Sequence, residues 1–127
     1  MFWKNKKEIS IGEQGEEVAK KFLKKKGFKI IDSNFQNNQG RRIGEIDIVV
    51  KKNKEIVFVE VKTRKTDNLD ALPEESITPK KLYKLQKIAQ VYLKEKNLTD
   101  SNYHFDAISV IISSDNKVRK INHLEYL

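Results

Sequence analysis

Two neighbouring apolar segments, residues 42–50 and 56–64, constrain the fold of this chain more than any other feature. Each is rich in Val and Ile, which favours a β-strand, and the polar, Asn-containing residues 51–55 between them are typical of a turn. We therefore expect the two strands to pair as a hairpin. The second segment carries apolar residues on both faces, as an interior strand does, so the hairpin should lie inside a sheet.

Charged side chains interrupt both of these apolar strands. Because side chains alternate between the faces of a strand, Asp47 should share a face with Glu45, and Glu60 with Lys62. Burying ionised groups costs several kcal/mol per ion unless they pair or bind a metal. An exposed cross-strand pair of Glu60 with Lys62, worth about 0 to 1 kcal/mol, is the simpler alternative. The apolar character of the strand favours a metal site instead.

The chemistry of this charged set suits hydrolysis of a phosphodiester. Asp47 and Glu60 offer the hard oxygen ligands that Mg²⁺ or Mn²⁺ prefers, and such an ion can bridge to a phosphate and activate water. The ammonium group of Lys62 could orient the attacking water or neutralise the charge that develops on the phosphate. An Asp followed about a dozen residues later by Glu-x-Lys resembles the PD-(D/E)xK signature of the restriction-endonuclease-like nucleases.

The charge balance favours a polyanionic partner. The formal net charge is +8 and the isoelectric point is near 9.6, which points to nucleic acid. Arginine is the residue that reads guanine edges, and its scarcity here favours recognition of the backbone over reading of sequence. The predicted phosphate contacts are three of the four arginines and one lysine, namely Arg41, Arg42, Arg64 and Lys81.

Length and composition set further bounds. A chain of 127 residues predicts a single domain with its own core, preceded by a flexible arm at residues 1–8. Cysteine is absent, so disulfides and Cys-based zinc sites are excluded. His104 and His123 look isolated from each other, which argues against a histidine zinc site. No segment has the apolar length of a membrane span or a signal-peptide core, so we expect a cytoplasmic protein.

A third acidic candidate lies on the predicted first helix, which should begin at about Ser10 and end at Gly27. At about 100° per residue, Glu16 aligns with the apolar position Leu23. Glu16 should therefore point inward, toward the strand that carries Asp47. The alternative is a Glu at the boundary of the helix that pairs with a lysine. We interpret Glu16 as a third metal-ligand candidate.

Further segments complete a sheet of four or five strands. Residues 28–35, 103–112 and 117–124 have strand character, and residues 65–79 should form a polar loop beside the site. Asp106, on the apolar fourth strand, is better explained as a structural carboxylate than as a functional one.

A second helix should begin with Thr78 as its N-cap and Pro79 in its first position. A lysine-rich helix face of this kind is usually solvated. Lys81 differs from the other lysines because it lies in the first turn, where backbone N–H groups also favour anions.

Several ordered motifs follow one another along the chain. They are GEEVA at 15–19, GFKII at 27–31, GEIDI at 44–48 and FVEVKTR at 58–64, together with residues 81–89 and 105–106. Together these motifs resemble the YraN-like family of uncharacterised bacterial proteins, over nearly the whole chain from about Gly12 to Leu124. That family is similar to the archaeal Holliday junction resolvases, within the restriction-endonuclease-like fold.

The resemblance implies a mixed β-sheet flanked by helices, an α/β fold. It implies metal-binding roles for Glu16, Asp47 and Glu60 with Mg²⁺ or Mn²⁺, and a catalytic role for this set together with Lys62. Nucleases of this class that act on branched DNA generally work as homodimers, which makes a homodimer a candidate assembly. One departure from the signature is Ile46, which stands where the name motif has Pro.

These observations predict a metal-dependent endonuclease that hydrolyses DNA, with branched or junction DNA as a candidate substrate. Two alternatives stay open. One is a non-catalytic module that binds nucleic acid or a protein partner and retains the nuclease fold. The other is a hydrolase of different phosphodiesters, such as RNA or a small nucleotide. The sequence does not separate DNA from RNA or a junction from a flap.

Overall fold

The computed structural model describes residues 9–38, 40–68 and 78–127. The predicted arm at 1–8, and the greater part of the predicted loop, lie outside the described residues. Two helices and five strands follow one another in the order α1 (Ile11–Lys25), β1 (Lys29–Gln36), β2 (Glu45–Lys52), β3 (Glu55–Lys65), α2 (Pro79–Glu95), β4 (Asn102–Ile112) and β5 (Val118–Leu124). Neither described helix is both long and apolar enough to cross a membrane.

The five strands form one mixed sheet in the order β1-β2-β3-β4-β5. β3 and β4 are parallel, and the other neighbours are antiparallel. A parallel pair needs a crossover connection, and α2 lies in that connection. The prediction of a mixed α/β sheet flanked by helices is confirmed, and the architecture is compatible with a restriction-endonuclease-like fold.

β3 lies at the centre of the sheet and is buried on both faces. On one face Phe58 packs in a cluster with Tyr92 of α2, and on the other Val59 packs with Leu23 of α1. All of these side chains are almost completely buried. The expectation of an interior strand is therefore confirmed, and each helix covers one face of the sheet.

The helix boundaries follow the predicted capping signals. Ser10 caps α1 through a reciprocal pair of hydrogen bonds with Glu13, at 2.9 Å and 3.1 Å. After α1, Gly27 adopts a φ of +94°, a conformation that glycine tolerates best. Thr78 caps α2 by accepting the backbone N–H of Lys81 at 3.2 Å, and Pro79 is the first helical residue. The side chain of Lys81 therefore starts from a fixed backbone position.

The hairpin of β2 and β3 is confirmed, but its turn is shorter than the five residues predicted. β2 continues to Lys52, which pairs with Glu55, so that only Asn53 and Lys54 form the turn. Asn53 has a φ of +58°. Two-residue hairpin turns require this left-handed conformation, and Asn tolerates it well. The Lys-rich segment is therefore divided between strand and turn.

Close packing of α1 on β3 requires a glycine at position 15. A Cβ at Gly15 would lie 1.7 Å from Oγ1 and 2.8 Å from Cβ of Thr63, so Gly15→Ala must displace α1 or β3. We expect a loss of about 3 kcal/mol in the free energy of unfolding, despite the better helix propensity of alanine. Urea denaturation would measure this loss.

The matched control for this prediction is Gly12→Ala in the same helix. A Cβ at Gly12 would meet only the Ser10 hydroxyl, at 3.9 Å. This variant should be as stable as the wild type or slightly more stable. Equal stabilities of the two variants would contradict the close contact between Gly15 and Thr63.

Candidate active site

The two central strands separate at Asp47, and this opening creates the site. Their backbone pairing reaches Ile48 opposite Val59, and beyond it the carboxylate of Asp47 takes the place of a main-chain acceptor. Oδ2 of Asp47 accepts the backbone N–H of Val61 at 2.8 Å. This bond holds Asp47 at the fork between the strands, next to Glu60.

Strict alternation of side chains fails beside Asp47. Ile46 packs on the α2 side of the sheet, whereas Ile48 packs on the α1 side, although a regular strand would place both on one face. In the paired strand β1, Asn34 has a φ of +54°, an irregular conformation at the same level of the sheet. Glu45 and Asp47 nevertheless line one cleft, as the sequence predicts.

Glu60 is buried, with only 9% of its surface exposed. The alternative of an exposed ion pair between Glu60 and Lys62 is therefore wrong. Oε2 of Glu60 lies 2.9 Å from Nζ of Lys81, a lysine that we had expected to contact phosphate. Lys62 is partly buried two residues further along β3, and its side chain lies beside that of Lys81.

Asp47, Glu60 and Lys81 line a cleft of about 230 Å³ between the fork and α2. Acidic residues of the sheet form one wall, and basic and apolar residues of α2 form the other. The lining residues are Gly44, Glu45, Asp47, Glu60, Lys81, Lys84, Leu85 and Ile88.

The acidic groups of this region repel one another. Burial, followed by the charge of Glu60, raises the pKa of Asp47 to about 7, although the Val61 N–H bond opposes this effect. Burial also raises the pKa of Glu16, while a hydrogen bond from Asn34 opposes the change. The charge of Glu16 itself raises the pKa of Asp47. A cation placed among these carboxylates would relieve the repulsion.

Lys81 is bound electrostatically to this acidic set. Burial lowers the pKa of Lys81, but its contacts with the side chains of Lys62 and Glu60, and the charges of Glu60 and Asp47, outweigh burial and raise it. Lys81 therefore stays charged at neutral pH and neutralises part of the acidic charge.

The donor set fits Mg²⁺ or Mn²⁺ better than it fits a metal that needs a complete protein cage. Mg²⁺ is usually held by one or two carboxylates, with water and substrate phosphate filling the remaining positions. Asp47 and Glu60 could supply these carboxylates, and the cleft leaves room for the other ligands. Among the described residues, no three acidic or histidine side chains form a ready metal cluster. The ligand role of Glu16 therefore stays a prediction.

The predicted phosphate-binding arginines lie at the same end of the sheet. Arg41 and Arg42 precede β2 and are exposed, and Nη2 of Arg42 is 4.0 Å from Oε1 of Glu45. Arg64 is exposed near the end of β3, two residues beyond Lys62. Their contact with nucleic acid stays a prediction.

A second polar cluster was missed by the sequence analysis. The expectation that the two histidines are isolated is wrong, because Nε2 of His104 and Nε2 of His123 lie 3.0 Å and 2.8 Å from the carboxylate of Asp106. Asp106 is 1% exposed and also accepts the backbone N–H of Tyr126. These contacts agree with a structural role for Asp106. Glu55 joins the cluster through Nδ1 of His104, at the opposite end of β3 from the acidic cleft.

The chain is similar to many bacterial proteins of one family. Residues 15–110 match the model of "Uncharacterised protein family UPF0102". A UPF0102 protein of Syntrophomonas wolfei is 41% identical over 114 residues, which cover 90% of this chain and 93% of that protein. A UPF0102 protein of Caldanaerobacter subterraneus is 40% identical over 121 residues, 94% of this chain and 93% of that protein. The chain therefore belongs to the UPF0102 family, the YraN-like family that its motifs resemble.

Proposed function

We propose that this protein is a metal-dependent endonuclease that hydrolyses DNA phosphodiester bonds, with branched DNA as the substrate class to test first. The observation that carries the proposal is a pair of neighbouring carboxylates at the fork between two central strands, the buried Glu60 and the half-buried Asp47, with Lys62 beside them. Two neighbouring acids withdrawn from water are costly to a fold, and binding of a cation offsets that cost. We further propose that the protein works in the cytoplasm as a homodimer.

Each residue of the proposed site has a distinct task. Asp47 and Glu60 would hold Mg²⁺ or Mn²⁺, with Glu16 close enough to add negative charge. A bound ion of this kind supplies Lewis-acid activation of the phosphate and of water. Lys62 would orient the water and stabilise the negative charge that develops during the attack. The Val61 N–H bond keeps the Asp47 carboxylate aimed into the fork.

The positive charge of the protein supports a nucleic-acid substrate. The net charge is +8, and Lys84 of α2 lines the cleft together with Lys81. Arg41, Arg42 and Arg64 surround the same end of the sheet. Contacts of such side chains with phosphates position a nucleic acid without reading its sequence.

Cleavage of a labelled four-way DNA junction and of a matched linear duplex tests the proposal. With Mg²⁺ or Mn²⁺ we expect the wild type to cut, and with EDTA we expect no cutting. Glu60→Gln and Lys62→Met should each reduce the rate by at least roughly 10²-fold, because each removes a group that stabilises the reaction. The ratio of junction cutting to duplex cutting then gives the substrate preference.

Two neighbouring acids on α1 provide a matched comparison. Glu16→Gln should slow cleavage, whereas Glu17→Gln should not, because Glu17 is exposed and pairs with Lys20 at 3.5 Å. DNA binding without any metal-dependent cutting would contradict the proposal and favour a non-catalytic binding module. Cutting of RNA but not of DNA would retain the site and replace the substrate.

A further inference from the structure

Lys81 lies in the cleft in direct contact with the carboxylate of Glu60. Its Nζ lies 2.9 Å from Oε2 of Glu60, the geometry of a charge-assisted hydrogen bond. Its side chain also lies beside that of Lys62. One lysine of α2 therefore contacts two of the residues to which we assign cation binding and chemistry.

Lys81 and a metal ion would compete electrostatically for Glu60. The ammonium group lies 2.9 Å from Oε2, so a metal ion on the same carboxylate would repel it and favour its movement toward another anion. Glu60 is 9% exposed and lies beside Asp47, so that its charge needs a partner in either state. Lys81 provides this partner whenever a metal ion does not.

Lys81 has the freedom to make such an exchange. Its backbone is fixed by the Thr78 cap, but its side chain is 38% exposed and carries a long flexible stem. The same side chain borders a second surface depression with Thr78, Lys80 and Lys84. A short rotation would take its ammonium group from Glu60 toward this basic surface.

We propose that Lys81 is an exchangeable counter-ion, which holds Glu60 in place when no metal ion is bound and turns to a DNA phosphate when a metal ion binds. This inference rests on the proposed function, because it assumes that Glu60 binds the ion. Lys81 would then be a positioning residue of the cleft, because binding of the metal ion to Glu60 would allow Lys81 to contact a phosphate of the substrate.

Titration of Mn²⁺ into the protein without DNA, by isothermal calorimetry, tests the first half of the inference. Lys81→Gln removes the competitor of the metal ion, so this variant should bind Mn²⁺ roughly fivefold to tenfold more tightly than the wild type. Lys81→Arg keeps the charge and should bind Mn²⁺ like the wild type. Lys84→Gln removes an equal charge from the cleft wall and should change the affinity by less than about twofold.

Salt dependence of DNA binding tests the second half. The probe is a labelled DNA duplex, with Ca²⁺ in place of Mg²⁺ so that binding can be followed without cutting. In Ca²⁺ the slope of log affinity against log salt should be smaller in Lys81→Gln than in the wild type, by about 0.9, the value for one phosphate contact. In EDTA the two slopes should agree, because Lys81 is then held by Glu60.

The outcomes separate this inference from the proposed function. If the wild type binds no Mn²⁺, both the proposed function and this inference are contradicted. If the wild type binds Mn²⁺ but Lys81→Gln binds no more tightly than Lys84→Gln, only the exchange is overturned. The exchange would also be overturned if Lys81→Gln reduced the salt slope by the same amount in EDTA and in Ca²⁺. Lys81 would then contact phosphate whether or not a metal ion is bound to Glu60.

Discussion

Replacing Asp47 by Asn should stabilise the protein at pH 8 by about 2 to 4 kcal/mol and abolish metal-dependent cleavage. Burial and the charge of Glu60 raise the pKa of Asp47 from its ordinary value of 3.8 to about 7. One pKa unit corresponds to about 1.4 kcal/mol, so the ionised side chain costs the folded protein up to about 4 kcal/mol. Asn has no charge to bury and can still accept the N–H of Val61.

An acidic residue usually has a lower pKa in the folded protein and stabilises it more as the pH rises. Asp47 has a raised pKa and should do the opposite. Between pH 4 and pH 7 the folded protein retains a proton on Asp47 that the unfolded chain has lost, because the pKa is higher in the folded protein. The contribution of Asp47 to stability therefore falls as the pH rises through this range, and the full cost is present above pH 7. Below pH 4 the carboxyl is protonated in both states and costs nothing.

Urea denaturation of the wild type and Asp47→Asn at pH 8 and pH 4 measures this prediction. The variant should be the more stable protein at pH 8, and the difference should nearly vanish at pH 4. Asp100→Asn, in an exposed turn, is the control and should change stability by less than about 0.5 kcal/mol at either pH. A variant that is less stable than the wild type at pH 8 would contradict the raised pKa of Asp47, which burial and the charge of Glu60 produce.

Replacing Asp106 by Ala should destabilise the protein by about 3 to 5 kcal/mol, the largest loss that we expect from one side chain. The carboxylate is 1% exposed and accepts bonds from His104, His123 and the backbone of Tyr126. Nδ1 of His123 lies 2.8 Å from Nζ of Lys26, an obligatory donor, so Nε2 carries the proton that Asp106 accepts. Truncation removes the acceptor of all three donors, of which the two histidine side chains are largely withdrawn from water, at 14% and 5% exposed.

Thermal and urea unfolding of Asp106→Ala, beside Asp100→Asn, would measure this loss. We expect the variant, where it folds, to bind Mn²⁺ like the wild type, because the cluster lies at the opposite end of β3 from the cleft. A loss below about 1 kcal/mol would show that the three donors find other partners. A loss of Mn²⁺ binding in a folded variant would contradict the separation of the two clusters.

Local features of the fold could be predicted from the sequence because their causes are local. Ser10 and Gly27 bound α1 through capping and a left-handed residue, and Thr78 with Pro79 begins α2. The hairpin of β2 and β3 follows from two apolar segments around an Asn-containing turn. The predicted length of that turn was wrong because the charged residues at its edges, Lys51, Lys52 and Glu55, fit a strand and a turn equally well.

Contacts between distant segments could not be predicted in the same way. No periodic pattern places Lys81 of α2 on Glu60 of β3, because this contact depends on how the crossover helix packs on the sheet. The meeting of His104 and His123 on Asp106 depends on the pairing of β4 with β5. Alternation does place His104 and Asp106 on one face of β4, a signal that could have revealed part of the cluster.

An anomalous difference map from crystals soaked in Mn²⁺ tests the central claim of a cation site between Asp47 and Glu60 most directly. We expect a peak within about 2.5 Å of carboxylate oxygens of both residues, with Nζ of Lys81 moved away from Glu60. The same experiment on Asp47→Asn should show a weaker peak or none. Absence of a wild-type peak at these two carboxylates, at an Mn²⁺ concentration that supports cleavage, would contradict the claim.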